Sequence, residues 1–172
     1  MQDILARAAQ IKLVIFDVDG VLTDGSLFIG DGGEEYKAFY SRDGLGMKML
    51  RATGIQVGII TARTSNVVEH RMASLGVEHI HQGRLDKLAA CEEILATLGL
   101  PFAQTAYVGD DVIDLPVMKK VGLAIAVQDA HPLAKQHAHW QTEHPGGRGA
   151  ARDVCELIMQ AQGTLEAQLT RF

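Results

Sequence analysis

Four consecutive apolar residues, Leu13-Val14-Ile15-Phe16, stop abruptly at Asp17-Val18-Asp19-Gly20. An apolar run without polar alternation is buried on both faces, which is the place of a central strand in a parallel sheet. In an open α/β sheet, ligands bind in the crevice beyond the carboxyl ends of the strands. Two aspartates at such an end repel each other unless a cation lies between them or one of them holds a proton. Both conditions suit phosphoryl chemistry. An Asp-rich turn made permissive by Gly20 is the bland alternative.

The rest of the chain repeats the strand–helix alternation. After a short helix over residues 3–9 and the first strand, Ser26 to Tyr40 reads as a β-hairpin closed by Gly30-Asp31-Gly32-Gly33. Its arms carry apolar or aromatic side chains on both faces, so a second subunit is expected to cover one of them. A helix follows Arg42-Asp43-Gly44 to about Ala52, and Ile55–Ile60 is the second strand. A helix from about Ser65 to Ser74, a strand over Val77–Ile80 and an amphipathic helix over Leu85–Leu98 come next. Thr105–Val108 and Gly122–Val127 are two further strands, with a Pro116-interrupted helix over Val112–Lys120 between them. A short helix at Pro132–His137, a last short strand near Trp140 and a helix with the stripe Ala150, Val154, Leu157, Ile158 and Ala161 complete the pattern, and the tail after Gly163 is expected to fray. The pattern predicts an α/β, Rossmann-like doubly wound parallel sheet with helices on both faces and a hairpin insertion at about 26–40. One domain over 1–172 accounts for the whole length.

Composition narrows the partners. With 16 basic and 21 acidic residues the formal charge is −5, which argues against nucleic acid as the main ligand. No apolar run is long enough to cross a membrane, and Met1–Ala9 lacks the pattern of a signal peptide, so a cytoplasmic location is the default expectation. Cys91 and Cys155 stand far apart and outside any metal-ligand spacing, and Cys91 falls on an apolar helical stripe. His79 with His81 and His137 with His139 share a two-residue spacing but lack a clear third ligand for a transition metal.

Several strand ends carry chemistry-bearing side chains. The first offers Asp17 and Asp19, the second Thr61 and Arg63, and the fourth Asp110 and Asp111, with Asp114 one helical turn on. Lys87 lies near the start of the helix after the third strand. Each alone has an ordinary structural role, as a helix cap, a solvated charge or a dipole-favoured acid. Their order is the informative part. Asp17-x-Asp19-Gly-Val-Leu-Thr-Asp, Thr61-x-Arg63, Lys87 and Gly109-Asp110-Asp111-x-x-Asp114 resemble the four motifs of the haloacid-dehalogenase-like phosphatase superfamily over roughly positions 11–130.

That resemblance implies Asp17 as nucleophile, forming an aspartyl-phosphate, and Asp19 as acid and then base. It implies Mg²⁺ held by Asp17, Asp110 and the Asp19 backbone carbonyl, with Asp111 and Asp114 supporting the metal shell. Thr61 and Lys87 would neutralise the phosphoryl oxygens. Between Asp24 and Thr61, and again between Thr61 and Asp110, there is no room for a cap domain.

The whole chain is similar to the capless 3-deoxy-D-manno-octulosonate 8-phosphate (KDO 8-phosphate) phosphatases. The similarity lies in residues 17–25, Gly44–Leu50, Ile60–Arg63, Tyr107–Met118 and His144–Asp153. It implies an acidic sugar phosphate substrate, a place in lipopolysaccharide biosynthesis, and a homotetramer with active sites at subunit interfaces. Arg63, Arg71 and Arg148, with Arg152 less clearly, are candidates for reading the substrate carboxylate. The C-terminal segment at about 143–172 is the candidate lid, its Gly146, Gly147 and Gly149 supplying freedom to move. A phosphatase for a nine-carbon ketodeoxy acid phosphate is the nearest alternative. A non-catalytic aspartyl-phosphate sensor is a more distant one, disfavoured by the built-in acid at Asp19.

Overall fold

The computed structural model describes residues 1–171. Along the chain, α1 (Gln2–Ala8) leads into β1 (Leu13–Phe16), and a hairpin of β2 (Phe28–Ile29) and β3 (Glu35–Tyr36) precedes α2 (Ser41–Arg51). Next come β4 (Gln56–Ile60), α3 (Asn66–Leu75), β5 (His79–His81), α4 (Lys87–Leu98), β6 (Thr105–Gly109) and α5 (Leu115–Met118). The chain ends through β7 (Leu123–Ala126), α6 (Pro132–His137), β8 (Trp140–Gln141), α7 (Ala150–Ala161) and α8 (Leu165–Leu169).

Six strands form one parallel sheet in the order β5-β4-β1-β6-β7-β8. The apolar run around which the pattern was read is its centre: all four residues of β1 are buried, with β4 on one side and β6 on the other. The chain first builds outward from β1 through β4 to β5, then returns to add β6 on the opposite side. The order therefore reverses beside β1, and that reversal opens the ligand crevice. Helices cover both faces. On one, α2 packs along α7 with α1 beside it; α4, α5 and α6 form the other group. No cap domain stands over the carboxyl edge among the described residues.

Local differences from the sequence reading have plain causes. Helix α2 begins at Ser41, because Asp43 serves as the acid of its first turn rather than as part of a preceding turn. The segment expected as one helix over Val112–Lys120 is a 3-10 turn at Val112–Asp114 followed by the short α5, with Pro116 in its first turn. The tail does not fray after Gly163. It forms α8, whose Gln168 is buried. Position 172 lies outside the described residues. Both cysteines are buried free thiols.

Candidate active site

Register places the functional side chains. Phe16 pairs with Ile59 of β4 and Val108 of β6, so Asp17 follows directly at the carboxyl edge, and Thr61 and Asp110 lie one step further out on the flanking strands. The Asp17 carboxylate is fixed at both oxygens: Oδ1 accepts from the Val18 N–H at 2.7 Å, and Oδ2 lies 2.7 Å from Lys87 Nζ. Lys87 opens α4, where the Asp86 carboxylate caps the helix by accepting from Ala89 N–H. Its side chain is only 1% exposed, and Nζ also donates to Asp114 Oδ1 at 2.7 Å.

Asp114 is saturated. Oδ1 accepts from Lys87 and from the Tyr107 hydroxyl at 2.6 Å, while Oδ2 accepts from the Asp110 and Asp111 N–H groups at 3.0 and 3.1 Å. Burial by itself would lower the Lys87 pKa, but Asp17 and Asp114 outweigh it and hold the ammonium charged. Tyr107 was not singled out from sequence. Its signal was there, since a tyrosine inside a fully buried strand needs a partner for its hydroxyl.

Asp17, Asp110 and Asp114 each offer an oxygen within 4.8 Å of the others, the one such group of metal-ligating side chains among the described residues. Burial, which outweighs the opposing pull of Lys87, pushes Asp17 up to about 6. Burial, followed by the charges of Asp114 and Asp17, pushes Asp110 up to about 7. Three carboxylates thus share one ammonium, a charge deficit that fits a hard divalent cation with oxygen ligands. Because Asp114 already accepts four hydrogen bonds, Asp17 and Asp110 remain as the side chains free to bind it. Gly20 (φ 91°) keeps the space open, since a Cβ there would collide with the Asp110 carboxylate. The Asp111 Oδ1 accepts from Val112 N–H, capping the 3-10 turn that carries Asp114.

Asp19 is held differently. Its Oδ1 pairs with Lys37 Nζ, and Oδ2 lies 3.8 Å from Arg63 Nε. Both cations also reach Glu35 Oε1: Lys37 at 3.3 Å and Arg63 Nη2 at 2.9 Å. Hydrogen bonding from Ser65, offset in part by burial and reinforced by Arg63 and Lys37, draws Glu35 down to about 2. Lys37 and Glu35 went unnoticed in the sequence because their arm of the hairpin was read for apolar residues. Period-2 hydropathy points the wrong way here: Glu35 and Lys37 turn inward with Phe39, while Tyr36 and Ala38 turn out.

The other arginines are dispersed. Arg71 lies 5.9 Å over the Phe39 ring, Arg148 is exposed 3.7 Å from Asp24, and Arg152 pairs with Glu156 at 2.6 Å while its N–H caps onto Asp43. Thr61 is buried, its hydroxyl accepting from Arg63 N–H at 3.4 Å. The histidines are used locally, His139 accepting from Ala124 N–H and His81 facing Glu93. Gly146 and Gly147 are packed tightly against the catalytic loop. Gly147 N–H donates to Val21 carbonyl at 2.8 Å, Gly146 N–H to Asp129 at 2.9 Å, and a Cβ on Gly146 would overlap the Gly20 carbonyl oxygen.

A parallel sheet with its aspartate pair, buried lysine and second acidic cluster at the switch point defines a haloacid dehalogenase-like hydrolase, and the profile of that family matches residues 76–152. The 3-deoxy-D-manno-octulosonate 8-phosphate phosphatase of Yersinia pestis is 52% identical over 164 residues, covering 95% of this chain and 88% of the relative. That of Escherichia coli K12 is 50% identical over 95% of this chain and 87% of its own length. The crystal structure of the Moraxella catarrhalis phosphatase of the same name, in complex with magnesium ion, phosphate ion and KDO, superposes with a TM-score of 0.98 at 41% identity, covering 100% of this chain and 99% of that one. The chain belongs to the KDO 8-phosphate phosphatase family.

Proposed function

We propose that this chain is a Mg²⁺-dependent phosphatase that hydrolyses KDO 8-phosphate to KDO and phosphate, with Asp17 as the nucleophile. The observation that carries the mechanism is Asp17 itself, buried at the switch point, pinned to Lys87 and within 4.8 Å of a second carboxylate on Asp110. Identity of about half over nearly the full length to phosphatases named for that substrate, and the KDO complex of a 41% identical relative, support the substrate.

Asp17, Asp110 and the Asp19 backbone carbonyl would hold the ion. When bound, Mg²⁺ offsets the repulsion between carboxylate and phosphate, on the order of 4 kcal/mol for unit charges 4 Å apart near a protein surface. The Asp17 carboxylate attacks phosphorus as the bond to the sugar oxygen breaks, and Asp19 delivers a proton to that oxygen. Asp19 then takes a proton from the water that cleaves the acyl-phosphate. Lys87 and Thr61 hold the phosphoryl oxygens, and Arg63, Arg71 and Arg148 read the sugar acid. Asp114 and Asp111 support the shell from behind.

The functional unit is one domain with a hairpin insertion, assembled as a cytoplasmic homotetramer with sites at subunit interfaces. Leu27, Phe28, Ile29 and Tyr36 support the assembly, being 49%, 52%, 63% and 65% exposed on the hairpin. No helix among the described residues is long and apolar enough to cross a membrane. Sedimentation of Phe28→Glu as a smaller species would support the hairpin contact, and an unchanged mass would refute it.

The activity test is phosphate release from a panel of phosphorylated acidic sugars, with Mg²⁺ and with chelator. Preference for KDO 8-phosphate and loss of turnover on chelation are expected. Preference for a nine-carbon ketodeoxy acid phosphate would overturn the substrate, and a long-lived acyl-phosphate without multiple turnover would overturn the enzyme.

A further inference from the structure

We propose that Lys37, on the return arm of the hairpin, is the positioning residue for Asp19. This rests on the reading of Asp19 as the group that protonates the leaving oxygen. Asp17 is fixed by a backbone N–H and by Lys87, from the body of the domain. Asp19, by contrast, sits in the turn after β1, and the side chains that hold its carboxylate are two cations, Lys37 and Arg63.

The two cations are unequal. Arg63 is 44% exposed and 3.8 Å away, a geometry in which an ion pair orients little. The Lys37 side chain is 1% exposed and in direct contact with Oδ1. A buried ammonium persists only when paired, and its partners here are Asp19 and Glu35, both themselves only partly exposed. Glu35 is anchored in turn by Ser65 and Arg63, on the segment that follows β4. Hairpin, β1 turn and β4 exit are thereby joined by alternating charges, with Lys37 as the link that touches Asp19.

The bond from Lys37 to Oδ1 leaves Oδ2 as the oxygen that handles the proton. In the first step the bond from Asp17 to phosphorus forms, the bond from phosphorus to the leaving oxygen breaks, and the proton on Asp19 Oδ2 passes to that oxygen. An alkoxide leaving from a sugar needs that proton. A nitrophenolate, stable as an anion, does not. Loss of Lys37 must therefore show in the dependence on leaving group, which a general loss of folding would not produce; a lost contact to the sugar would also give that split, but its effect would persist in an Asp19→Asn background.

The test compares Lys37→Met with the wild type by kcat/KM, which reports the steps through formation of the acyl-phosphate, on KDO 8-phosphate and on 4-nitrophenyl phosphate. A fall of about 100-fold on the sugar phosphate with less than about fivefold on the aryl phosphate is expected. Equal losses on both substrates overturn the proposal. Lys37→Gln, which keeps a donor and most of the volume, should lie between the two, and it carries the same test if the Met variant does not fold. In an Asp19→Asn background, Lys37→Met should add less than about threefold, because it acts through Asp19; full additivity overturns it. A wild type inactive on KDO 8-phosphate would instead sink the proposed substrate, and the comparison would then use whichever alkyl phosphate is turned over.

Discussion

Replacing Asp114 with Asn tests whether the buried charge cluster is assembled as described. Asp114 accepts four hydrogen bonds, two at each oxygen, from Lys87, Tyr107, Asp110 N–H and Asp111 N–H. An Asn side chain has one oxygen and one amide nitrogen, so in either orientation two donors are left facing an NH₂ group. Breaking a buried ion pair costs about 3–5 kcal/mol. Asp17 still holds Lys87, at 2.7 Å, which places the loss near the lower end, about 3 kcal/mol. For a chain of this size, each kcal/mol shifts the melting temperature by about 2–4 °C, so Asp114→Asn should melt about 6–12 °C lower. Thermal unfolding followed by circular dichroism reads this directly. Pairing with Tyr107→Phe in a double-mutant cycle should reveal a coupling of about 0.5–3 kcal/mol, since both changes strike the same oxygen. A shift below about 2 °C, or strict additivity with Tyr107→Phe, would refute the saturated-carboxylate reasoning.

Asp17→Asn should fold normally yet lose turnover and acyl-phosphate labelling; a labelled or active variant would move the nucleophile elsewhere. Gly146→Ala forces a methyl group onto the Gly20 carbonyl and should destabilise the protein by about 1–3 kcal/mol, measured by urea unfolding, with no effect counting against the close packing. The pH dependence follows from Asp17 at about 6 and Asp110 at about 7, both raised by burial above the unfolded value near 4. Their contribution to metal-free stability is complete below about pH 4 and is lost as pH rises through 6 to 7. Because Mg²⁺ binds the ionised carboxylates, its stabilising effect should grow over the same interval, so the melting-temperature gain on adding Mg²⁺ should be larger at about pH 8 than at about pH 5.5. Equal gains at both would contradict the raised carboxylates.

The central strands were legible because fully buried strands are written as apolar runs: Leu13–Phe16 stands at the middle of the sheet as read. The acidic cluster was legible because its members fall at strand ends, where the fold itself makes them converge. What escaped was polar and inward. Lys37 sits on a hairpin whose Leu27, Phe28 and Ile29 dominate any reading by hydrophobicity, and a lysine by itself is indistinguishable from a solvated charge. Its role depends on Asp19, 18 positions earlier in the chain. Likewise, Gly146 and Gly147 suggested freedom of movement, whereas in the fold they permit close approach to the Gly20–Asp24 turn. A glycine's reason for being small is set by its neighbours, and those are distant in sequence.

That close approach has a consequence for synthesis. The first strand and the turn bearing the nucleophile are made early, but residues that brace them emerge much later: Gly147 bonds Val21 in the turn, and Gln162 reaches the carbonyls of Ala8 and Ile11 ahead of the strand. A nascent chain that has exposed Asp17 through Asp114 therefore still lacks these contacts to either side of the first strand.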